Sequence, residues 1–364
     1  MQVGRRTILK ALGGVPLAGL VGTAGYGTVA RQGIIDVHAH IAIPDYVTML
    51  AAAGVRSPGY GVGAPASAVT ANASSGAGGD SEASIASRLR IMDAAGVQLQ
   101  VLSPSLAPYV SDGPTAQRCA RLWNERLSTI TRNRPDRFAA IAALPLPHVN
   151  SALRELRYAL DVLGLSGVGL HSTALGTSVA DDRFAPLFAE MDRRSSVLFI
   201  HPSVNGLQSP LINGWNLQAS AGPLLEDMAM VLHLLARSIP VRYPRIRIVI
   251  PHLGGGIATM LERLDNQMPL SIGKLAAKPS EMARMLWYDT ASHGSGTSLR
   301  AAIEALGSKR LVPGSDFPVL LAFEAYARAF TYVSRNSKDP ETGNAILHVN
   351  ALRLFGRPEA KESR

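Results

Sequence analysis

Short apolar runs recur along the chain from residue 34 onward, and amphipathic stretches separate them. Such runs are typical of buried strands, and apolar positions three and four residues apart are typical of helices that pack on a sheet. The pattern predicts eight strands, at Ile34–Val37, Val97–Ser103, Phe138–Leu144, Gly167–Leu170, Val197–Ile200, Ile246–Ile250, Leu286–Asp289 and Arg310–Val312. Eight buried strands that alternate with helices predict an α/β fold, a parallel sheet closed into a (β/α)8 TIM barrel.

The clearest amphipathic stretches follow these strands, and five of them are predicted to be helices. They are Ser84–Ala95, Pro114–Arg132, Ser151–Leu163, Asp181–Arg194 and Pro223–Ile239. In the first of them, Ile85, Leu89 and Met92 form one apolar face. Arg88 and Arg90 are expected to point away from that face, toward water.

Residues 1–30 are predicted to be a twin-arginine signal peptide, which leaves residues 31–364 for a single barrel domain. Arg5 and Arg6 stand before an apolar pair and Lys10, and an apolar stretch rich in glycine and alanine follows. This arrangement is typical of export signals. A membrane anchor is the alternative, but the glycines make the stretch only weakly hydrophobic. We expect a periplasmic or otherwise exported protein, with a cytoplasmic one as the alternative, and no stable membrane span.

A second segment, from Ser57 to Ser81, breaks the alternation of strands and helices. It is dense in glycine, alanine and serine and lies between the first strand and its helix. In a barrel this position overhangs the catalytic face, so the segment is either a mobile lid or an ordinary surface loop.

Charge and cysteine content narrow the possible partners and ligands. The chain has 36 Lys and Arg residues against 27 Asp and Glu, a formal charge of +9 that is spread without a basic run. A nucleic-acid partner is therefore not expected. The single cysteine, Cys119, excludes an internal disulfide and a thiolate cluster, so a metal site would need histidine and carboxylate ligands.

Histidine and aspartate residues stand at the carboxyl ends of the predicted strands. They are His38 and His40 after the first strand, His171 after the fourth, His201 after the fifth, His252 after the sixth, Asp289 in the seventh and Asp316 after the eighth. In a parallel barrel these ends meet at one face, where barrel enzymes have their active sites. The histidines outside this pattern are expected to be structural or surface residues: His148, His233, His293 and His348.

The pair His38 and His40 is the first candidate for metal binding. One residue separates them, so both imidazoles project from the same side of the first strand. Two such histidines suit zinc or a similar divalent ion, and His201 is a candidate third nitrogen ligand. Hydrogen-bonded structural histidines are the alternative. After His252, the run Gly254–Gly256 is expected to let a substrate approach the backbone and the histidine closely.

Four motifs together resemble the second amidohydrolase family. They are His38-Ala39-His40, His201-Pro202, His252-Leu253-Gly254-Gly255-Gly256 and Gly314-Ser315-Asp316-Phe317-Pro318. The resemblance extends from about Ile34 to Gly356, and the segment Phe184–Asp192 is especially similar to 6-methylsalicylate decarboxylases. The family also includes α-amino-β-carboxymuconate-ε-semialdehyde decarboxylase. The loop arginine with which that enzyme binds its substrate has no counterpart between Ser57 and Ser81.

The resemblance implies a metal-dependent barrel enzyme and a complete ligand set. The implied ligands are His38, His40, His201 and Asp316. Zinc suits these ligands, and another divalent ion such as manganese is also accepted by three imidazoles and one carboxylate.

Roles for the remaining candidates follow from the same resemblance. His252 would activate water or steer a proton, and Asp316 would take part in proton transfer. Arg263 would reach the substrate carboxylate of a neighbouring subunit, which implies a homodimer. His171 and Asp289 are further candidates for contact with the substrate, a small-molecule carboxylate.

The same residues serve two different reactions. The first is the non-oxidative decarboxylation of a small aromatic or unsaturated carboxylic acid, similar to 6-methylsalicylate, and the overall resemblance favours it. The alternative is hydrolysis of an ester, lactone or amide by metal-activated water. A barrel that binds without catalysis is less favoured, because every expected metal ligand is present.

Overall fold

Eight parallel strands form one sheet in the computed structural model, which describes residues 33–55 and 76–355. They are β1 (Ile34–His40), β2 (Val97–Ser103), β3 (Phe138–Ala143), β4 (Gly167–His171), β5 (Val197–His201), β6 (Arg247–Ile250), β7 (Trp287–Asp289) and β8 (Leu311–Val312). Each strand is a neighbour of the next in chain order. Val37 N donates to Pro313 O (2.9 Å) and Asp316 N donates to His38 O (2.9 Å), so the sheet closes on itself. The predicted (β/α)8 barrel is confirmed.

Helices connect the strands across the outside of the barrel. They are α1 (Pro44–Ala52), α2 (Glu82–Ala94), α3 (Gly113–Asn133), α4 (Val149–Arg157), α5 (Ala185–Arg193), α6 (Pro210–Asn213), α7 (Gly222–Ala236), α8 (Ile239–Arg242), α9 (Leu261–Ile272), α10 (Pro279–Ala283), α11 (Gly296–Leu306), α12 (Arg328–Asn336), α13 (Pro340–Asn344) and α14 (Asn350–Phe355). A π turn, Tyr158–Val162, continues α4 to the predicted length. No helix within the described ranges is long and apolar enough to cross a membrane.

Two predictions concern residues that lie partly or wholly outside the described ranges. The predicted signal peptide, residues 1–30, lies outside the described residues, as do residues 57–75 of the predicted lid. The end of that segment is described. Gly78 O accepts from Ala42 N (2.8 Å), which attaches the start of α2 to the end of β1.

The barrel interior is filled with apolar side chains that form the floor of its carboxyl-terminal face. Val101, Ile141, Phe199 and Val249 are buried together in this inner core. The ring of Phe199 lies 5.0 Å from the ring of His38, centroid to centroid. A packed floor excludes water from below, so polar chemistry is confined to the strand ends above it.

Arg88 of α2 is fully buried, which contradicts the predicted orientation of this residue. Its guanidinium donates to the carbonyl oxygens of Ala77 (3.2 Å) and His40 (2.7 Å) and to Oε1 of Gln100 (3.0 Å). Its Cζ also lies 4.5 Å from the centroid of the Phe317 ring. Because these acceptors satisfy the cation, its burial is tolerated. Arg88 thereby holds α2 against the end of β1.

Replacing Arg88 with methionine is expected to destabilise the protein by about 2–4 kcal/mol, because three buried acceptors lose their donor. The melting temperature should fall by roughly 3–6 °C for a chain of this size. Arg90→Met on the same helix is the matched control, since Arg90 is exposed and, within the described part of the chain, its side chain bonds only to Ser87 Oγ. Equal melting temperatures for the two variants would contradict the role assigned to Arg88.

Candidate active site

Four side chains converge at the carboxyl-terminal face of the barrel and form a candidate metal centre. His38, His40, His201 and Asp316 each offer one ligand atom, and these atoms all lie within 4.8 Å of one another. His38 Nε2 and His40 Nε2 are 3.3 Å apart, and Asp316 Oδ1 lies 3.1 Å from His40 Nε2. The strand ends therefore bring together the residues that the sequence placed there.

In each of the three imidazoles, Nδ1 faces away from the cluster and lies beside a protein acceptor. His38 Nδ1 donates to Asp289 Oδ2 (2.8 Å), and His201 Nδ1 donates to Pro202 O (2.7 Å). His40 Nδ1 lies 3.3 Å from the carbonyl oxygen of Ser103. Each imidazole consequently turns its Nε2 toward the centre of the cluster, as metal-binding histidines do.

The ionisation of His40, His201 and Asp316 also fits a cation. Burial lowers the pKa of His40, and burial together with the neighbouring imidazoles lowers that of His201 well below its usual range. Burial alone would raise the pKa of Asp316, but hydrogen bonds from His252 and His40 hold it well below the ordinary value. Neutral imidazole nitrogens and an ionised carboxylate are the forms that bind metal, so a divalent metal site is indicated.

Asp289 lies behind His38 and does not face the pocket. It is fully buried. Its Oδ1 accepts from the backbone N–H groups of His252 (3.0 Å) and Ala291 (2.9 Å), and its Oδ2 accepts from His38 Nδ1 (2.8 Å). Both oxygens are therefore occupied by protein donors. The structure therefore places Asp289 where it orients His38, and its predicted contact with the substrate stays a prediction.

His252 is paired with Asp227, an acid that the sequence analysis did not select. Asp227 Oδ2 lies 2.7 Å from His252 Nδ1, where Asp227 is buried and His252 is half-buried. On the other side of the ring, His252 Nε2 lies 3.9 Å from Asp316 Oδ2. Burial alone would lower the pKa of His252, but the carboxylate of Asp227 raises it well above its usual range. The pair His252–Asp227 can therefore share a proton beside the candidate metal centre.

The glycines after His252 serve helix packing, which differs from their predicted role of admitting a substrate. A Cβ on Gly255 would collide with the carbonyl oxygen of Leu224 in α7, and one on Gly254 would come within 2.8 Å of the Tyr288 ring. Only glycine permits this approach of the two backbones. The close packing brings Asp227, three residues along α7 from Leu224, within reach of His252.

Replacing Gly255 with alanine is expected to push α7 away and to break the Asp227–His252 contact. We expect activity to fall at least about tenfold, as for the loss of a partner that orients a functional histidine. Gly256→Ala is the matched control, because Gly256 also has a positive φ but has no atom within 4 Å of its added Cβ. A Gly255→Ala variant as active as the Gly256→Ala variant would contradict this reading of the glycines.

Asp36 anchors the loop that carries Asp316. Its carboxylate accepts from Ser315 Oγ (2.6 Å), Ser315 N (3.1 Å) and Tyr326 Oη (2.7 Å), and burial raises its pKa to about 6. Asp316 itself has a φ of 61°, a left-handed conformation that a non-glycine residue adopts only when its surroundings hold it. Asp36 supplies that support from the start of β1.

A small depression lies beside the cluster. Its lining residues are His252, Ala291, Ser292, His293, Ser315, Asp316, Glu324 and Ala329. His293 belongs to this wall, although the sequence analysis placed it among the structural or surface histidines. It follows β7 in a left-handed conformation with a φ of 49°, and this turn has no periodic signal in the sequence.

The two other predicted substrate residues differ in placement. His171 is buried at the end of β4, and its ring centroid lies 5.3 Å from that of His201. Burial lowers the pKa of His171 to about 4. Arg263 is exposed on α9 and is not among the residues around the cluster or the depression of its own chain. Its predicted contact with a neighbouring subunit stays a prediction.

The family model described as amidohydrolase, Amidohydro_2, matches residues 35–357. The match covers the whole barrel and every residue of the candidate metal centre. The chain therefore belongs to the amidohydrolase family, as its motifs predicted.

Several relatives within the family are decarboxylases. The chain is 28% identical over 258 residues to a 6-methylsalicylic acid decarboxylase of Penicillium expansum, covering 67% of this chain and 77% of the relative. It is 30% identical over 290 residues to a gamma-resorcylate decarboxylase of Rhodococcus jostii, covering 74% and 86%.

Solved structures share the fold. A 2,6-dihydroxybenzoate decarboxylase complexed with 2,6-dihydroxybenzoate superimposes with a TM-score of 0.75 and 24% identity, over 90% of this chain and 100% of that chain. A dihydroxybenzoic acid decarboxylase from Polaromonas, solved with bound manganese, gives a TM-score of 0.75 and 22% identity, over 90% and 98%.

Proposed function

We propose that the protein is a metal-dependent, non-oxidative decarboxylase of a small aromatic carboxylic acid that carries a hydroxyl group, similar to 6-methylsalicylate. The observation that carries this proposal is the proton-holding pair His252–Asp227, placed with Asp316 beside three convergent imidazoles. The decarboxylase relatives support the same reaction class.

The reaction replaces a carboxyl group on the ring with a proton. The bond between the ring carbon and the carboxyl carbon breaks, carbon dioxide leaves, and the electron pair stays on the ring carbon to take up the proton. His38, His40, His201 and Asp316 would hold a divalent ion, which would supply Lewis-acid chemistry at the substrate carboxylate. His252 holds the proton, and Asp316 Oδ2, 3.9 Å from its Nε2, passes it toward the ring carbon.

Zinc is the proposed metal. Three imidazole nitrogens and one carboxylate form a ligand set that zinc favours. Manganese, which one structural neighbour was solved with, is the competing ion. Metal analysis of the purified protein, followed by reloading of metal-free protein with either ion, decides between them by content and restored activity.

A homodimer is proposed as the working assembly. Leu211 (78% exposed) and Trp215 (75%) lie between β5 and α7, and Leu270 (85%) lies on α9 together with Arg263. Large exposed apolar side chains are typical of surfaces that another protein covers. Light scattering gives the mass in solution, and a monomer at assay concentration would exclude a contribution of Arg263 to a neighbouring site.

Export by the predicted twin-arginine signal is also proposed. Its support is the sequence around Arg5, Arg6 and Lys10. Replacing both arginines with lysine should retain the precursor inside the cell, as fractionation would detect.

The decisive experiment is a screen of salicylates, other hydroxybenzoates and lactones with metal-loaded protein. Carbon dioxide and ring absorbance are followed together. Release of carbon dioxide with formation of the decarboxylated arene supports the proposal. Gain of a carboxylate without carbon dioxide assigns the protein to the hydrolases instead.

A further inference from the structure

The depression beside the metal cluster is too small for an aromatic ring but has room for one water molecule. Its volume is about 10 Å³, which is close to the smallest space that holds a water. Six of its eight lining residues carry a polar side chain: His252, Ser292, His293, Ser315, Asp316 and Glu324. A polar space of this size suits the passage of protons.

The depression connects the active site with an exposed histidine. His252, which is half-buried, and His293, which is exposed, both line it. Asp316 belongs to the same lining, and its Oδ2 lies 3.9 Å from His252 Nε2. A proton that reaches His293 from solvent is therefore separated from the pair His252–Asp227 by one water-sized space.

The imidazole of His293 is suited to the exchange of protons. Within the described part of the chain, no residue forms a hydrogen bond or an ion pair with its ring, which meets the ring of Phe323 edge-on at a centroid distance of 5.4 Å. Its φ of 49° is a left-handed conformation of the kind that is concentrated at functional sites. Histidine is also the side chain that takes up and releases protons near neutral pH.

The proposed reaction needs a supply of protons. An aromatic carboxylic acid is ionised near neutral pH, so the substrate brings no proton with it. The ring carbon takes up one proton in each turnover, and carbon dioxide leaves without one. The pair His252–Asp227 must therefore regain a proton from solvent before the next substrate can react.

We propose that His293 relays protons from solvent into the active site across this depression, where the pair His252–Asp227 takes them up. In each cycle His293 gives its proton across the water-sized space and then takes the next one from solvent. This inference rests on the proposed decarboxylase function and adds the route by which its proton arrives. His293 acts through His252 and takes no part in the breaking of the bond.

The test compares the first turnover of a His293→Asn variant with its later turnovers. Asparagine tolerates the left-handed conformation and keeps a polar side chain, but it does not take up a proton near neutral pH. With enzyme in excess, the rate of carbon dioxide release should equal that of the unmodified enzyme, because the pair already has its proton. In steady state, kcat should fall at least about tenfold in dilute buffer at mildly alkaline pH, where solvent protons are scarce.

Added imidazole distinguishes a proton relay from a structural role. It should restore the steady-state rate of His293→Asn, because a soluble imidazole carries the proton in place of the lost ring. A residue that only shapes the turn after β7 would show no such rescue. His233→Ala, which removes another exposed histidine, is the matched control and should show neither the loss nor the rescue.

The failure of this inference is distinguishable from the failure of the proposed function. An unmodified, metal-loaded protein that releases no carbon dioxide from any hydroxybenzoate would overturn the decarboxylase and the relay together. If the unmodified protein does release carbon dioxide, an unchanged steady-state kcat in His293→Asn would overturn the relay alone. An equal loss of rate in first and later turnovers that imidazole does not restore would also overturn it.

Discussion

Replacing His201 with alanine is expected to abolish stoichiometric metal binding and to lower carbon dioxide release by at least about 10³-fold. His201 supplies one of three imidazole nitrogens, and its Nδ1 is fixed by Pro202 O so that Nε2 faces the cluster. Two imidazoles and one carboxylate leave a divalent ion with an incomplete set of protein ligands, and the substrate carboxylate then lacks its electrophile. Elemental analysis and the carbon dioxide assay, run on the same preparation, measure both effects.

The matched control for this variant is His233→Ala. His233 is exposed on α7 and bonds only to Ser178 Oγ (2.9 Å), away from the cluster. The His233→Ala variant should keep its metal and its activity. Circular dichroism shows whether His201→Ala is folded, since the apolar floor around Phe199 does not depend on the metal. Full metal content in folded His201→Ala would remove His201 from the ligand set.

The barrel and most of the metal centre could be predicted from the sequence because both follow from topology. Parallel strands place all their carboxyl ends at one face, so His38, His40, His201 and Asp316 were expected at that face, and the family resemblance selected them as the ligands. No distance information was needed for this step. The same rule also brought Asp289 to the right end of the barrel, but it could not distinguish a residue that faces the pocket from one that lies behind an imidazole.

Residues whose role depends on helix packing could not be predicted in this way. Asp227 reaches His252 only because Gly255 admits the backbone of α7, and periodicity says nothing about how closely two elements approach. Arg88 was expected to face water because it lies off the apolar face of its helix. The carbonyl oxygens that satisfy it belong to Ala77 and His40, and backbone acceptors have no signature in the sequence.

The buried aspartates that support the site affect different steps of the reaction. Asp36 and Asp289 fix the positions of metal ligands, so their loss should affect metal content first. Asp227 contacts His252 and none of the four ligands, so its loss should affect proton transfer first. Variants of His252 and Asp227 therefore separate proton transfer from metal binding.

Replacing His252 with asparagine is expected to lower kcat by about 10²–10⁴-fold while metal content stays stoichiometric. The shorter amide can still donate to Asp227, but it has no atom in the place of Nε2, so the proton beside Asp316 is lost. Asp227→Asn should lower kcat less, by about 10–100-fold, because His252 remains but loses the carboxylate that orients it and raises its pKa. Single-turnover assays compare the loss of rate in the two variants, and metal analysis shows whether each keeps its metal. A His252→Asn variant within about threefold of the unmodified enzyme, or one that has lost its metal, would show that His252 does not supply the proton.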